Sequence, residues 1–169
     1  MSTRANALSE TQIALAVSRE ADKKDFYELA ERLGHYAAVV LQKEHRSQMT
    51  GLEAVVNGTL KRSDVLDYVK KQIGRLDEWR KPCSDDQRDP QTGFGERLLQ
   101  ALGGDLGDRA GRLCEELGVD EETEEGRQLR RRLHLLLMRR FIRSMVAHYE
   151  WRSIMEKTRL LDAFVERRS

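Results

Sequence analysis

Several things that hold other folds together are scarce in this chain of 169 residues, which has two cysteines and two prolines. Cys83 and Cys114 are isolated and lack metal-ligand spacing, so neither a disulfide framework nor a cysteine metal centre is expected. The opening stretch MSTRANALSE has no apolar signal core, and a reducing, cytoplasmic setting is the expectation. Aromatic residues amount to 6%, and the few β-branched residues are scattered rather than alternating, which argues against a sheet. The longest apolar runs, Ala37–Leu41 and Leu135–Met138, are far too short to cross a bilayer, so no membrane partner is expected. Charge of one sign is lacking too. Thirty basic side chains against twenty-nine acidic ones leave a net charge of +1, so any nucleic-acid contact must come from a local patch.

What is present is helix-forming material, 39% hydrophobic and 35% charged and rich in Leu, Ala, Glu and Arg. An all-α fold is predicted: a compact bundle of about five to six helices with a long basic C-terminal helix. Residues 22–169 are expected to form one domain, and residues 1–21, with only Ile13, Leu15 and Val17 in a weak pattern, a peripheral segment that orders against a partner. Phe26, Leu29, Leu33, Tyr36, Ala37, Val40 and Leu41 recur at three and four residues, predicting an amphipathic helix from Asp25 to about Glu44. Ser47 and Ser63 are the expected caps of the next two helices, and Asp120 the expected start of the last. Pro82 and Pro90 mark residues 81–93 as a loop. Gly103-Gly104 is expected to end a short helix begun near Phe94, with Asp105 opening another. The final helix is expected to run to about Val165, with room for a bend after Trp151.

Its segment Arg127–Arg143 reads RQLRRRLHLLLMRRFIR, seven arginines with no acidic residue until Glu150. At 100° per residue Arg132, Arg139 and Arg143 share a narrow sector, while Leu133, Leu137, Phe141 and Ser144 lie about a quarter turn or more away. One face can pack while another holds phosphates, because guanidinium forks match phosphate oxygens and neutralised phosphates release counterions. The candidate RNA contacts are Arg132, Arg139 and Arg143 first, with Arg131 and Arg140 beside them. A second basic group, Lys61, Arg62, Lys71 and Arg75, extends the track if its helix is a neighbour. The plainer alternative is that the arginines pair with the chain's carboxylates or solvate a helix. No cofactor or metal is expected, since the histidines lack zinc spacing and no Gly-x-x-x-x-Gly-Lys loop occurs. Trp79, Tyr149 and Trp151 stand on or beside apolar stripes, where core or subunit packing is expected ahead of base stacking.

Arg143 and His148 are spaced Arg-x4-His, which resembles the active motif of HEPN ribonucleases. That resemblance implies a metal-independent ribonuclease with His148 as acid or base and Arg143 stabilising phosphorane charge. Position 144 is Ser where that family usually has Asn, Asp or His, and His148 lies on the apolar sector of its helix.

Three further patterns occur in order: Arg46-Ser47-Gln48-Met49 after an amphipathic helix, Tyr68 with Gly74-Arg75, and the segment FIRSMVAHYEW from Phe141 to Trp151. Together they resemble the small helical subunit of type III-A CRISPR interference complexes. The resemblance implies a subunit without a catalytic centre, stacked in several copies along a guide RNA–target RNA duplex beside other effector-complex subunits. A purely protein-binding helical adaptor is the third reading.

Overall fold

The computed structural model describes residues 7–83 and 91–167, so residues 84–90 of the predicted loop lie outside the described residues. All the regular structure described is helical, in the order α1 (Glu10–Ala21), α2 (Lys24–Leu41), α3 (Arg46–Gly58), α4 (Arg62–Arg75), α5 (Asp77–Arg80), α6 (Phe94–Gln100), α7 (Leu106–Glu116) and α8 (Glu124–Glu166). Helix α8, 43 residues and about 64 Å long, is the axis, and α1, α2, α3, α4 and α7 all pack on it.

The predicted apolar stripe is the reason. Leu133, Leu137 and Phe141 are fully buried, as are Met138, Ile142 and Met145. Against them α2 brings its small side chains, Ala30, Gly34, Ala37 and Ala38, and Phe26 meets Phe141 edge-on at 5.7 Å. A Cβ on Gly34 would stand 2.5 Å from the Met145 carbonyl oxygen, so the crossing tolerates only glycine there. Helix α2 stops at Gln42, whose φ of 51° turns the chain, and the buried Tyr149 hydroxyl donates to the Gln42 carbonyl at 2.7 Å.

Several local expectations are corrected. Within the stretch expected to be peripheral, Ile13 and Val17 are buried, and α1 lies on α8. Its start carries a capping box, Ser9 accepting from the Gln12 amide while Gln12 accepts from the Ser9 amide. Ser47 and Ser63 lie inside α3 and α4 rather than capping them. Before α4 it is Thr59 that organises the turn, accepting from the Lys61 amide and donating to Asp64. Asp120 does not open α8: Thr123 does, its hydroxyl accepting from the Gly126 amide. Nor do Gly103 and Gly104 end a helix. Residues 101–105 form a π-helical turn that carries α6 straight into α7. Helix α8 runs through Trp151 without interruption.

Three segments singled out in the sequence, around Gln48, Tyr68 and Glu150, meet in space. Tyr68 donates to the Gln48 carbonyl, and Arg46 pairs with Glu150 at 2.9 Å. Trp79 donates its indole N–H to the Gln48 side chain. These contacts explain the residues as packing. Cys83 and Cys114 are buried and unbridged. Among the described residues no helix is long and apolar enough to cross a membrane, and no His, Cys, Asp and Glu cluster suits a metal ion.

Candidate nucleic-acid interface

The start of α4 lies against α8, and between them runs an open groove of about 770 Å³. Lys61, Arg62, Arg131, Arg132 and Arg139 line it with Leu60, Ser63, Gln128, Leu135 and Leu136, and no carboxylate is among these lining residues. A second groove of about 320 Å³ continues it between α1 and α8, sharing Arg132, Leu136 and Arg139 and adding Arg140 and Arg143; Glu10 lines this part.

Two cross-links build the groove. Arg139 donates from Nε to the Val56 carbonyl at 3.0 Å and from Nη2 to the Thr59 carbonyl at 2.7 Å, satisfying oxygens at the C-terminal end of α3. That bond fixes the α3–α4 turn on α8 and so sets Lys61 and Arg62 beside Arg131. The second link runs through His134, 1% exposed. Its Nδ1 accepts from Arg62 Nη1 at 2.9 Å, and its Nε2–H donates to the Leu102 carbonyl of the π-turn at 2.6 Å. A guanidinium only donates and a carbonyl only accepts, so the neutral Nε2–H tautomer satisfies both. Burial holds the His134 pKa below its ordinary value of 6.5; the Arg62 and Arg130 charges act in the same direction against the Leu102 bond. Gly107 on α7 lies beside the ring, where an added Cβ would make ordinary van der Waals contact at 3.4 Å.

The predicted contacts therefore separate by task. Arg139 is half-buried and serves as an anchor, which is a correction to its ranking as a first-choice phosphate contact. Arg132 is held by Glu10, bidentately, with Nη1 to Oε1 at 2.8 Å; the Arg132 hydrogen bond keeps the Glu10 carboxyl below its ordinary pKa. Arg131 is 3.8 Å from Glu124, and Arg127 and Arg130 pair with Glu124 and Glu121. The acid-free segment thus receives acid from other segments, and the plain reading holds for part of it. Among the described residues Arg140 reaches only Ser18, at 3.5 Å. Arg143 is exposed, and neither it nor the Lys61 side chain makes a hydrogen bond or ion pair among the described residues. Lys71 and Arg75 are exposed on later turns of α4 and do not line the groove; Arg75 is thirteen residues, or about 20 Å, past Arg62 on that helix.

Arg143 and His148 do not face one site. Arg143 opens on the α1 groove, whereas His148 packs on α2, edge-on to Tyr27 at 5.0 Å and to His35 at 5.9 Å. Of the three aromatic candidates, Trp79 and Tyr149 are buried and Trp151 is exposed. Glu10 and His134 are the functional neighbours that local sequence patterns miss. Only the Ser9-x-x-Gln12 capping box signals that α1, and with it Glu10, is ordered. Comparison with protein-family models, with curated proteins and with solved structures gives no match.

Proposed function

We propose that this chain is a non-catalytic RNA-binding subunit of a ribonucleoprotein, holding a phosphate backbone in the groove between α4 and α8. The observation that carries the reading is the convergence of Lys61 and Arg62 with Arg131, Arg132 and Arg139 in one groove without a lining carboxylate. Two guanidinium anchors hold that geometry before any ligand arrives, which reduces the ordering that binding must impose. Pairing of Arg132 with an exposed Glu10 is a weak obstacle, because such surface pairs contribute little and a phosphate can replace the carboxylate. With a net charge of +1 the lone chain exerts little long-range attraction, so its own affinity is modest and depends steeply on salt.

The resemblance to the small helical subunit of type III CRISPR complexes supplies the setting. Several copies lie along a guide RNA–target RNA duplex, and partner subunits carry the chemistry. The test replaces Lys61, Arg131 and Arg143 by Glu, three side chains that anchor no helix. Assembly on guide RNA is expected to be lost, with the slope of log affinity on log salt falling by about one for each phosphate contact removed. Unchanged salt-dependent RNA association would remove the groove reading. Purified chain is expected to leave RNA intact; metal-independent cleavage abolished by His148→Ala would replace this reading with the ribonuclease.

A further inference from the structure

Four rings stand in file where α2 crosses α8. Tyr27 meets His148 edge-on with centroids 5.0 Å apart, His148 meets His35 edge-on at 5.9 Å, and His35 lies nearly parallel to Trp151 at 6.4 Å and 26°. Both ends of the file are open to solvent, Tyr27 at 49% exposure and Trp151 at 58%. The other tryptophan behaves oppositely. Trp79 is fully buried on Phe94, with its N–H bonded to Gln48.

A single exposed apolar side chain needs no explanation, but Trp151 also walls a pocket of about 210 Å³ with His35, Met155, Arg152, Glu156 and Arg159. Arg152 is tied to Glu156 at 3.1 Å, which holds its guanidinium at the pocket edge. Burial, and next the Arg152 charge, hold the His35 pKa below 6.5 against Glu31 and Glu156, so its ring is a neutral face at pH 7. Trp151 follows Arg143 on the same helix by about 12 Å, so a strand that leaves the groove past Arg143 reaches the file next.

We infer that the file Tyr27–His148–His35–Trp151 is a stacking platform for unpaired bases of RNA, entered at Trp151. This rests on the RNA reading above and narrows it to a single-stranded segment beyond the groove. Aromatic faces accept any base, because every base has a π-face, and neighbouring arginines serve the phosphates. Bases within a duplex have both faces occupied by their own neighbours and offer none to Trp151. Substrate choice follows from that difference.

The two tryptophans make the test direct. The intact chain is titrated with short single-stranded oligoadenylate and with a blunt duplex RNA, following Trp emission and, separately, RNA anisotropy. Single-stranded RNA is expected to quench the exposed Trp151 component, and Trp151→Phe, which leaves only buried Trp79 as a tryptophan, removes the response. Trp151→Ala weakens single-stranded binding on the order of tenfold while duplex affinity stays unchanged. RNA binding that depends on Lys61 and Arg131 but leaves Trp emission unchanged would overturn the platform and spare the groove. No RNA binding at all would overturn both. A shift of Trp151 emission with protein concentration alone would give the rings to a second copy of the chain and overturn the base-stacking assignment.

Discussion

Arg109 on α7 and Arg143 on α8 show two opposite uses of one side chain. Arg109 is 6% exposed, donates to Glu20 and Asp25 at 2.7 Å each, and lies over the Phe26 ring at 5.5 Å. Arg143 is exposed on a groove and bonded to nothing among the described residues. The first ties α1 and α2 to α7, where a buried charge is tolerable because it is fully paired. The second leaves its charge available to a ligand. Counting arginines in the sequence merges these roles, whereas hydrogen-bond partners separate them, and Arg139 falls between the two.

The comparison breaks first at Arg109. Arg109→Ala leaves the buried Glu20 carboxylate with Lys23 as its remaining partner and is expected to cost about 3 kcal/mol in urea unfolding, the low end for breaking a buried pair; a loss as small as that of an exposed site would erase the distinction. Arg139→Ala should cost about 1–3 kcal/mol, since it leaves the Val56 and Thr59 carbonyls without this donor, and it should also weaken RNA binding. Arg139→Lys is expected to restore the charge without restoring stability, because a single ammonium on a flexible stem lacks the two-pronged donor geometry.

The His134 link gives a pH signature of intermediate size. Its folded pKa lies below 6.5, so the unfolded chain binds more protons in that interval, and the stabilisation is present above pH 6.5 and lost as pH falls below it. The unfolding free energy of the wild type, read from urea titrations, should therefore fall on acidification, by at most about 1.4 kcal/mol per pH unit from this group, and the urea midpoint with it. His134→Asn keeps an acceptor for Arg62 without titrating, and should flatten that part of the profile. A wild type whose midpoint ignores pH through this interval would contradict the buried neutral tautomer. The smallest effect is Arg143→Glu: stability within about 0.5 kcal/mol of wild type by thermal unfolding, yet a salt slope for RNA reduced by about one.

The helical class, the length of α8 and its buried stripe of Leu133, Leu137 and Phe141 were legible because a 3.6-residue period is local information. The ends of elements were less so. Ser47, Ser63 and Asp120 each have cap chemistry, but Thr59 and Thr123 occupy the positions where the backbone turns. Gly103-Gly104 reads as a stop, yet the π-turn keeps the path helical and presents the Leu102 carbonyl to His134. In the candidate site, the arginines and Lys61 could be named in advance. Which of them are occupied could not, because Glu10 reaches Arg132 across 122 positions and Val56 reaches Arg139 across 83.

The sequence by itself determined an all-α chain whose last helix carries apolar and basic faces, since both follow from residue type and helical spacing alone. Only the tertiary structure decided which basic residues share a groove, which are consumed as anchors, and which tryptophan stays exposed. Those outcomes depend on pairings between segments far apart in the chain, where packing and hydrogen-bond completion rather than local propensity select the partner.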